Sequence, residues 1–448
     1  MKNSKYILFL LLATSSANTA EMLTLEKCVE LATTTTTTVL QAQNLDTAAG
    51  AELIKGYAQF LPNLQAFATF GYEGGHKFFA TTTPTVLTTS TYGLSYQIST
   101  TLNLFNGLAD FAALQSAINR REYATLTLRR AKQLITLDVT QSFLQVMLDR
   151  KLIAIAQSAY DASKSQLELI KQKLDLGSEN MANYASQQAQ TQTNQTLLLS
   201  AQNQAKTDVL LLLQKLRLDV TKDYELQEPA QSESAALDSQ YASEVNLIAL
   251  ALENRADLRG ARRTASAAEW GITSAQAGFW PTLYTQFALN SNARTLLTQT
   301  DGVNNYVPPT QKSLFTQLGA HHYFDLTINL SWNIFDQWTT PQNVARATAT
   351  ARNARIDAFD RERQVEVEVR RGLLDYQTAA RLVESTTLGA SAAQQAYNLV
   401  RGRFDEGISN FTDVQVSQAT LVSAQSAKAQ AVINFVLKQR ALETALGR

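Results

Sequence analysis

The sequence predicts a mainly α-helical chain that also carries transmembrane β-strands, and three observations lead there. A strictly alternating strand runs with almost no linker into a helix of roughly seventy residues. The whole unit occurs twice: Asn103 matches Asn333, Phe105 matches Phe335, Gly177 matches Gly407 and Gln188 matches Gln418, each pair 230 positions apart. A register held that long marks a duplicated supersecondary unit. Finally, the strand leading into each long helix runs 12 to 14 residues, where ordinary ones have about 5 to 6 and a membrane crossing needs about 9 to 11.

Residues 1 to 20 read as a signal peptide, with Lys2 and Lys5 as the basic region, Tyr6 to Ala13 as the apolar run and small residues near Ala17 or Ala20 for cleavage. The apolar run is too short to span a bilayer as a helix, and no other stretch approaches that length. Any membrane crossing must therefore be made by strands. The 39 basic and 39 acidic residues cancel, so charge gives no argument for nucleic acid. The single Cys28 offers no intrachain disulfide and is expected to be buried in a helix.

The first repeat is expected over 21–219 and the second over 244–448, joined by a polar connector at 220–243. Each opens with a helix, 23 to 60 or 244 to 279, that ends at a proline, Pro62 or Pro281. Proline breaks a helix and biases its predecessor to extended geometry, so these two residues mark helix–strand junctions. The threonine run Thr33 to Thr38 predicts a weak turn within the first helix. Strands follow at about 64–72 and 92–105, and again at 283–290 and 324–335, separated by Thr-, Asn-, Gly- and Pro-rich stretches at Glu73 to Ser90 and Ser291 to His321 that read as long external loops.

Alternation divides the strand faces. Tyr92, Leu94, Tyr96 and Ile98 point one way, as do Phe324, Leu326, Ile328 and Leu330; the other face carries Gln97, Asn103, Asp325, Asn329 and Asn333, expected to line a water-filled lumen. After the strands come helical hairpins over 108–219 and 338–446, each turning at a glycine, Gly177 or Gly407. At 1.5 Å per residue each outgoing helix would extend about 100 Å, and its Arg, Lys, Gln and Glu keep it in water. Four strands per chain cannot close a barrel in lipid, where every edge amide needs a partner. Two chains give eight strands with a filled interior, so three chains, with twelve strands and twelve helical strands, form the smallest assembly with a lumen.

In order and spacing, the leader, the duplication, the junctions Phe60-Leu61-Pro62-Asn63-Leu64 and Phe279-Trp280-Pro281-Thr282-Leu283, the strand ends Leu102 to Phe105 and Trp332 to Phe335, and the tip turns resemble the TolC family of outer-membrane efflux channels. The resemblance covers essentially the whole mature chain. It implies a homotrimer in which a 12-stranded β-barrel in the outer membrane joins a 12-helix α-barrel crossing the periplasm. The expected role is a passive tunnel of a tripartite efflux or type I secretion system, with a periplasmic adaptor and an inner-membrane pump of RND, ABC or MFS type as partners.

By the same likeness Asp413, and its counterpart Asn183, stand at the periplasmic entrance, and Leu174, Gly177, Ser178, Phe404, Gly407 and Ser409 form the adaptor-docking tips. Relatives often carry a second Asp where this chain has Val416, Tyr where it has Phe404 and a basic residue where it has Ser409. Asp413 also suits a helix N-terminus, where the dipole stabilises a carboxylate. The three histidines fall in the proposed loops, and no phosphate loop, nucleophile elbow or zinc spacing occurs; no enzyme activity, cofactor or metal is expected. A trimeric structural or adhesive envelope protein is the alternative reading, although such a protein needs sustained heptads and one terminal anchor rather than strands repeated mid-chain.

Overall fold

The computed structural model of the chain describes residues 21–79, 85–222, 224–227, 241, 243–306 and 310–448. The proposed leader, Pro84, Pro229, Pro308, Pro309 and most of the connector lie outside the described residues. The elements in order are β1 (Glu21–Leu23), α1 (Leu25–Thr35), α2 (Thr37–Ala58), β2 (Gln65–Phe79), β3 (Thr85–Asn106), α3 (Ala109–Asp175), α4 (Met181–Leu216) and β4 (Tyr224–Leu226). The second repeat gives α5 (Glu244–Asn254), α6 (Ala256–Gln276), β5 (Thr282–Thr300), β6 (Asn305–Tyr306), α7 (Leu314–Ala320), β7 (His322–Ser331), α8 (Thr339–Asp405) and α9 (Phe411–Ala445). They gather into two compact units, and each unit draws on both repeats. The duplication is thus a unit of sequence rather than of packing.

The first unit comprises residues up to Gln43 with Leu128–Ala256 and Arg363–Arg448. Its core joins Leu23, Cys28 and Val39 to Val139, Phe143 and Met147 of α3 and to Leu212 and Leu216 of α4. Burial pushes the Cys28 thiol up to about 11, as an apolar site disfavours the thiolate. Part of the connector also enters this core: β4 pairs in parallel with β1, placing Leu226 beside Leu23. Three residues of the polar connector thus pair with the first described strand, too few to leave a periodicity in the sequence.

The expected weak turn falls at Thr36, where the backbone turns extended (φ −69°, ψ 141°) and splits α1 from α2. Hydroxyls of Thr33, Thr34 and Thr35 bond carbonyls one turn back, the local competition that weakens helices. Threonine composition is not the whole cause, however, since α5 and α6 part at Arg255 (φ −66°, ψ 119°), the matching position of the second repeat. Each break receives the end of a returning helix. Thr35 Oγ1 donates to Leu216 O over 3.3 Å beside left-handed Arg217 (φ 56°). Gly447 (φ 85°) lies so near Asn254 and Arg255 that a Cβ there would sit 3.0 Å from the Asn254 carbonyl carbon.

An acidic residue of the outgoing helix meets a cation here in both repeats, but from different places. In the first, Asp138 pairs with Lys215 of α4 at 2.8 Å. In the second, Glu368 matches Asp138, Ala445 stands where Lys215 would be, and the cation is instead Arg255 at the break. Arg255 is 1% exposed, so its pair is the more costly to break.

The second unit comprises Asn44–Thr127 and Asp257–Glu362. Its long strands form an antiparallel sheet in the order β2-β3-β5-β7, with short β6 on the same edge of β5 as β7. The strands are longer than expected. The β2–β3 ladder runs without a break to Phe79 opposite Thr85, and β5 continues to Thr300 opposite Thr88. The Thr- and Val-rich segment from Thr85 reads as loop by its threonines yet suits a pleated surface. Between Ser291 and His321 lies the helix α7 as well, and Gln311 both donates to and accepts from the Leu296 backbone, at 2.8 Å each way. Its carboxamide thereby imitates a strand along the β5 edge.

Strand β7 is shorter than expected. It ends at Ser331, opposite Thr282, because Pro281 ends the partner strand there. Trp332, Asn333, Ile334 and Phe335 lie beyond the sheet, and Trp332 Nε1 donates to Phe279 O at 3.2 Å. Each strand then enters its helix through two left-handed residues, Gly107-Leu108 and Gln337-Trp338. Gly107 is required where it stands, since a Cβ would meet Ala277 O at 2.7 Å. At the start of α8, Asp336 Oδ2 accepts from Thr340 N at 2.7 Å, and Asn106 does the same for Asp110 N at 3.3 Å. The start of α8 is therefore held by Asp336, and Thr340 lies within the helix.

Glu368→Ala should lower stability by about 3 kcal/mol, since it removes the carboxylate paired with a buried guanidinium. The matched change Asp138→Ala, at a pair with half-exposed side chains, should cost about 1 kcal/mol or less. Thermal unfolding of the purified chain distinguishes them; equal losses would contradict the assigned burial of Arg255.

Candidate functional site

Two parts of the chain bear on function: the faces of the sheet in the second unit, and the hairpin turns in the first. Antiparallel partners share a face. Register therefore puts Phe70 beside Leu94, Tyr72 beside Tyr92, Ile98 beside Leu289, and Phe287 beside Leu326 on one face. Aromatic contacts reinforce it, with ring centroids of Phe70 and Tyr92 5.9 Å apart and those of Phe287 and Phe324 6.2 Å apart. On this face Phe70, Phe324, Leu326, Ile328 and Leu330 are exposed.

The opposite face is polar. Gln97 pairs with Asn290, whose Nδ2 donates to Asp325 Oδ2 at 2.7 Å, and Asn103 pairs with Tyr284, which in turn pairs with Asn329. The sheet thus brings Gln97, Asn103, Asp325 and Asn329 to one face. Asn333, their sequence counterpart, is excluded because β7 has already ended. The same face holds charged residues that alternation alone did not single out: Glu73 pairs with Lys77 at 2.6 Å and with Arg294 at 2.9 Å. They escaped notice because all three were assigned to loops. Strands β2 and β7 form the two lateral edges, and among the described residues neither has a partner on its outer side.

At the hairpin turns both glycines are left-handed, Gly177 at φ 70° and Gly407 at φ 78°. Each closes its helix the same way: Ser178 N donates to Lys173 O and Ile408 N to Arg403 O, both at 2.8 Å, with bonds across fewer residues from Gly177 N to Leu174 O at 2.9 Å and from Gly407 N to Phe404 O at 3.0 Å. This double bond onto the last turn is the arrangement that favours glycine. Leu174 is half-buried, and Ser178 Oγ adds a bond to Lys173 O.

The returning helices begin in matched positions. Asn180 caps α4 by accepting from Asn183 N at 2.8 Å, and Asn183 Nδ2 donates to Glu179 at 2.7 Å. Asn410 caps α9 in a reciprocal box with Asp413, whose Oδ2 accepts from Asn410 N at 3.3 Å and from Ser409 Oγ at 3.1 Å. Asp413 is exposed, but this oxygen is engaged in the turn. Phe404 is buried, at 6% exposure, with Ile170, Phe411 and Val414, and Lys173 Nζ stands 4.9 Å over its ring. It joins the two hairpins and offers no free surface. Sequence reasoning missed the exposed apolar residues beside the turns, Leu176, Met181 and Ile408. Their signal was present: three large apolar side chains beside polar turns.

Among the described residues no cluster of three or more His, Cys, Asp and Glu side chains could hold a metal. His321 and His322 each meet a backbone carbonyl through Nδ1, at 3.2 and 3.1 Å. No described helix is long and apolar enough to cross a membrane.

Comparison with known proteins bears directly on this arrangement. Residues 247–448 match the outer membrane efflux protein family. The chain resembles the TolC-type channels, and across nearly its whole length it shares their fold. The outer membrane protein VceC of Vibrio cholerae aligns with a TM-score of 0.78 at 18% identity, over 94% of this chain and 96% of that one. The CmeC outer membrane channel of Campylobacter jejuni aligns at 0.74 and 14% identity, over 94% and 85%. The MtrE channel of Neisseria gonorrhoeae, in its open state, aligns at 0.68 and 14%, over 94% and 88%. A comparison with curated protein sequences gives no match.

Asp413→Ala removes one half of the capping box and should cost about 1 kcal/mol at the start of α9. Hydrogen exchange of the first turn after Phe411 should speed several-fold. An unchanged rate would mean the box does not hold the turn.

Proposed function

We propose that the protein is an outer-membrane efflux channel: three copies form a passive tunnel, a β-barrel joined to an α-barrel, docked to a periplasmic adaptor and through it to an inner-membrane pump. The observation that carries this reading is the open sheet with one apolar and one polar face. Strands β2, β3, β5 and β7 alternate in direction, so β7 of one copy can meet β2 of the next in antiparallel fashion. Repeated three times, that contact closes a ring of twelve strands and leaves no edge. The apolar face would meet lipid, and Gln97, Asn103, Asp325 and Asn329 would line the lumen. The work of transport falls to the pump, of RND, ABC or MFS type. The family match over the second repeat and the shared fold support the same reading.

Docking is assigned to the hairpin turns. Gly177, Ser178, Gly407 and Ser409 shape them, while Leu176, Met181 and Ile408 supply apolar surface for a partner to bury. Asp413 and Asn183 would border the entrance, where copies of Asp413 favour cations. The leader at 1–20 would direct export from the cytoplasm.

Gly407→Pro tests the docking role, because proline cannot adopt φ 78°. Export should fall at least tenfold in cells while the three-chain assembly persists. Photo-crosslinking from Ser409 with mass spectrometry should capture an adaptor. Loss of assembly in the proline variant, or capture of no periplasmic partner by an active crosslinker, would contradict the docking model.

A further inference from the structure

We propose that the first helical hairpin contains a proton-binding site between α3 and α4, formed by the carboxyl groups of Asp149 and Asp208, and that the bound proton joins these helices. Asp149 is 3% exposed. Its Oδ1 accepts from Gln145 Nε2 at 3.0 Å, and its buried Oδ2 has no donor among the described residues. What faces it across the helix pair is another carboxyl group, that of Asp208. Asp208 accepts from Gln204 Nε2 at 3.1 Å on its own helix.

Two acceptor-only carboxylates cannot bond each other, but a carboxylic acid donates to a carboxylate. One proton satisfies both. Burial, then the Asp208 hydrogen bond and charge, push the Asp149 carboxyl up to about 6, against the ordinary 3.8. The nearby cations are engaged or turned away. Arg150 Nη1 donates to Leu226 O at 2.7 Å, and Lys215 binds Asp138 at 2.8 Å. Lys151 lies two residues beyond Asp149, about 200° around its helix, and Lys206 and Lys222 line a groove with Arg150 that neither Asp149 nor Asp208 borders.

The second repeat provides the internal comparison. There Ala379 replaces Asp149, Lys438 replaces Asp208 and Asp375 replaces Gln145. Asp375 and Lys438 form an ion pair at 2.8 Å. The same inter-helix contact is thus made by a proton in one hairpin and by a fixed cation in the other, and pH near neutrality acts on the first alone.

A folded-state pKa raised above the unfolded value gives stability that is complete below about 3.8 and lost as pH rises through about 6. Local opening of the first hairpin should therefore become about tenfold more favourable between pH 5 and pH 7.5. Hydrogen–deuterium exchange on the full assembled protein, corrected for intrinsic rates, reads this in peptides around Asp149 and Asp208 against those around Ala379 and Lys438. Expected is a loss of protection with rising pH in the first pair only. Asp208→Asn supplies a permanent donor and should abolish the dependence; Asp149→Asn should do the same. Equal pH responses in both hairpins, or a response unchanged in both variants, would overturn the proposal. A chelator that changes protection at fixed pH 5 would also overturn it, assigning the site to a metal cation.

Discussion

The constraint on which the rest depends is that backbone N–H and C=O groups within a hydrocarbon layer must all be paired. Strands β2 and β7 carry long rows of such groups on their outer sides, and their side chains are exposed almost throughout. Nothing among the described residues covers them. Where β5 extends beyond β7, by contrast, Gln311 and Gln317 accept from the backbone N–H groups of Leu296 and Arg294, Ser291 Oγ donates to Leu318 O, and the short helix α7 packs against the strand. The chain blocks the partial edge and leaves open the two that identical copies can share. On the proposed reading, in which the sheet lies in lipid, oligomerisation is a requirement of the sheet rather than an addition to it.

Duplication supplies the parts but does not make them equal. The helix breaks at Thr36 and Arg255, the paired left-handed residues at the strand–helix entries and the tip glycines recur in register. Chemistry at the matched contacts differs. Asp138 finds its cation on α4, whereas Glu368 finds one at the break; Asp149 and Asp208 stand where the second hairpin has Ala379 and Lys438. Geometry therefore constrains where the helices must meet, and several pairings can fill that meeting point. A device that distinguishes the hairpins can arise from this freedom without altering the fold.

Much of this was legible because long periodic elements declare themselves. The outgoing helices, expected at 108 to 174 and 338 to 404, are Ala109–Asp175 and Thr339–Asp405. The prolines at 62 and 281 end helices, and the tip glycines adopt the left-handed turn. Strand ends were less legible, since pairing depends on a partner elsewhere in the chain. Asn333 copies Asn103 in sequence, yet Asn103 lies opposite Tyr284 within the β3–β5 ladder, which runs on to Asn106, while β7 reaches the end of β5 at Ser331 and stops where Pro281 stops it. Burial at the tips was hidden for a similar reason: Phe404 reads as a tip residue but is enclosed by Ile170, Phe411 and Val414. The parallel pairing of Glu21–Leu23 with Tyr224–Leu226 joins segments about two hundred residues apart, which no local pattern encodes.

The central claim is closure of the sheet between copies, and cysteine cross-linking tests it most directly. A cysteine at Thr69 on β2, combined in turn with one at each position from His322 to Ser331 on β7, places reporters on the two open edges. Native Cys28 is buried and should stay silent. The account predicts that some of these pairs form intermolecular disulfides in membranes and give a covalent ladder that ends at three chains. A ladder ending at two, or no cross-link at any position while the protein remains folded and membrane-bound, would contradict closure by three copies.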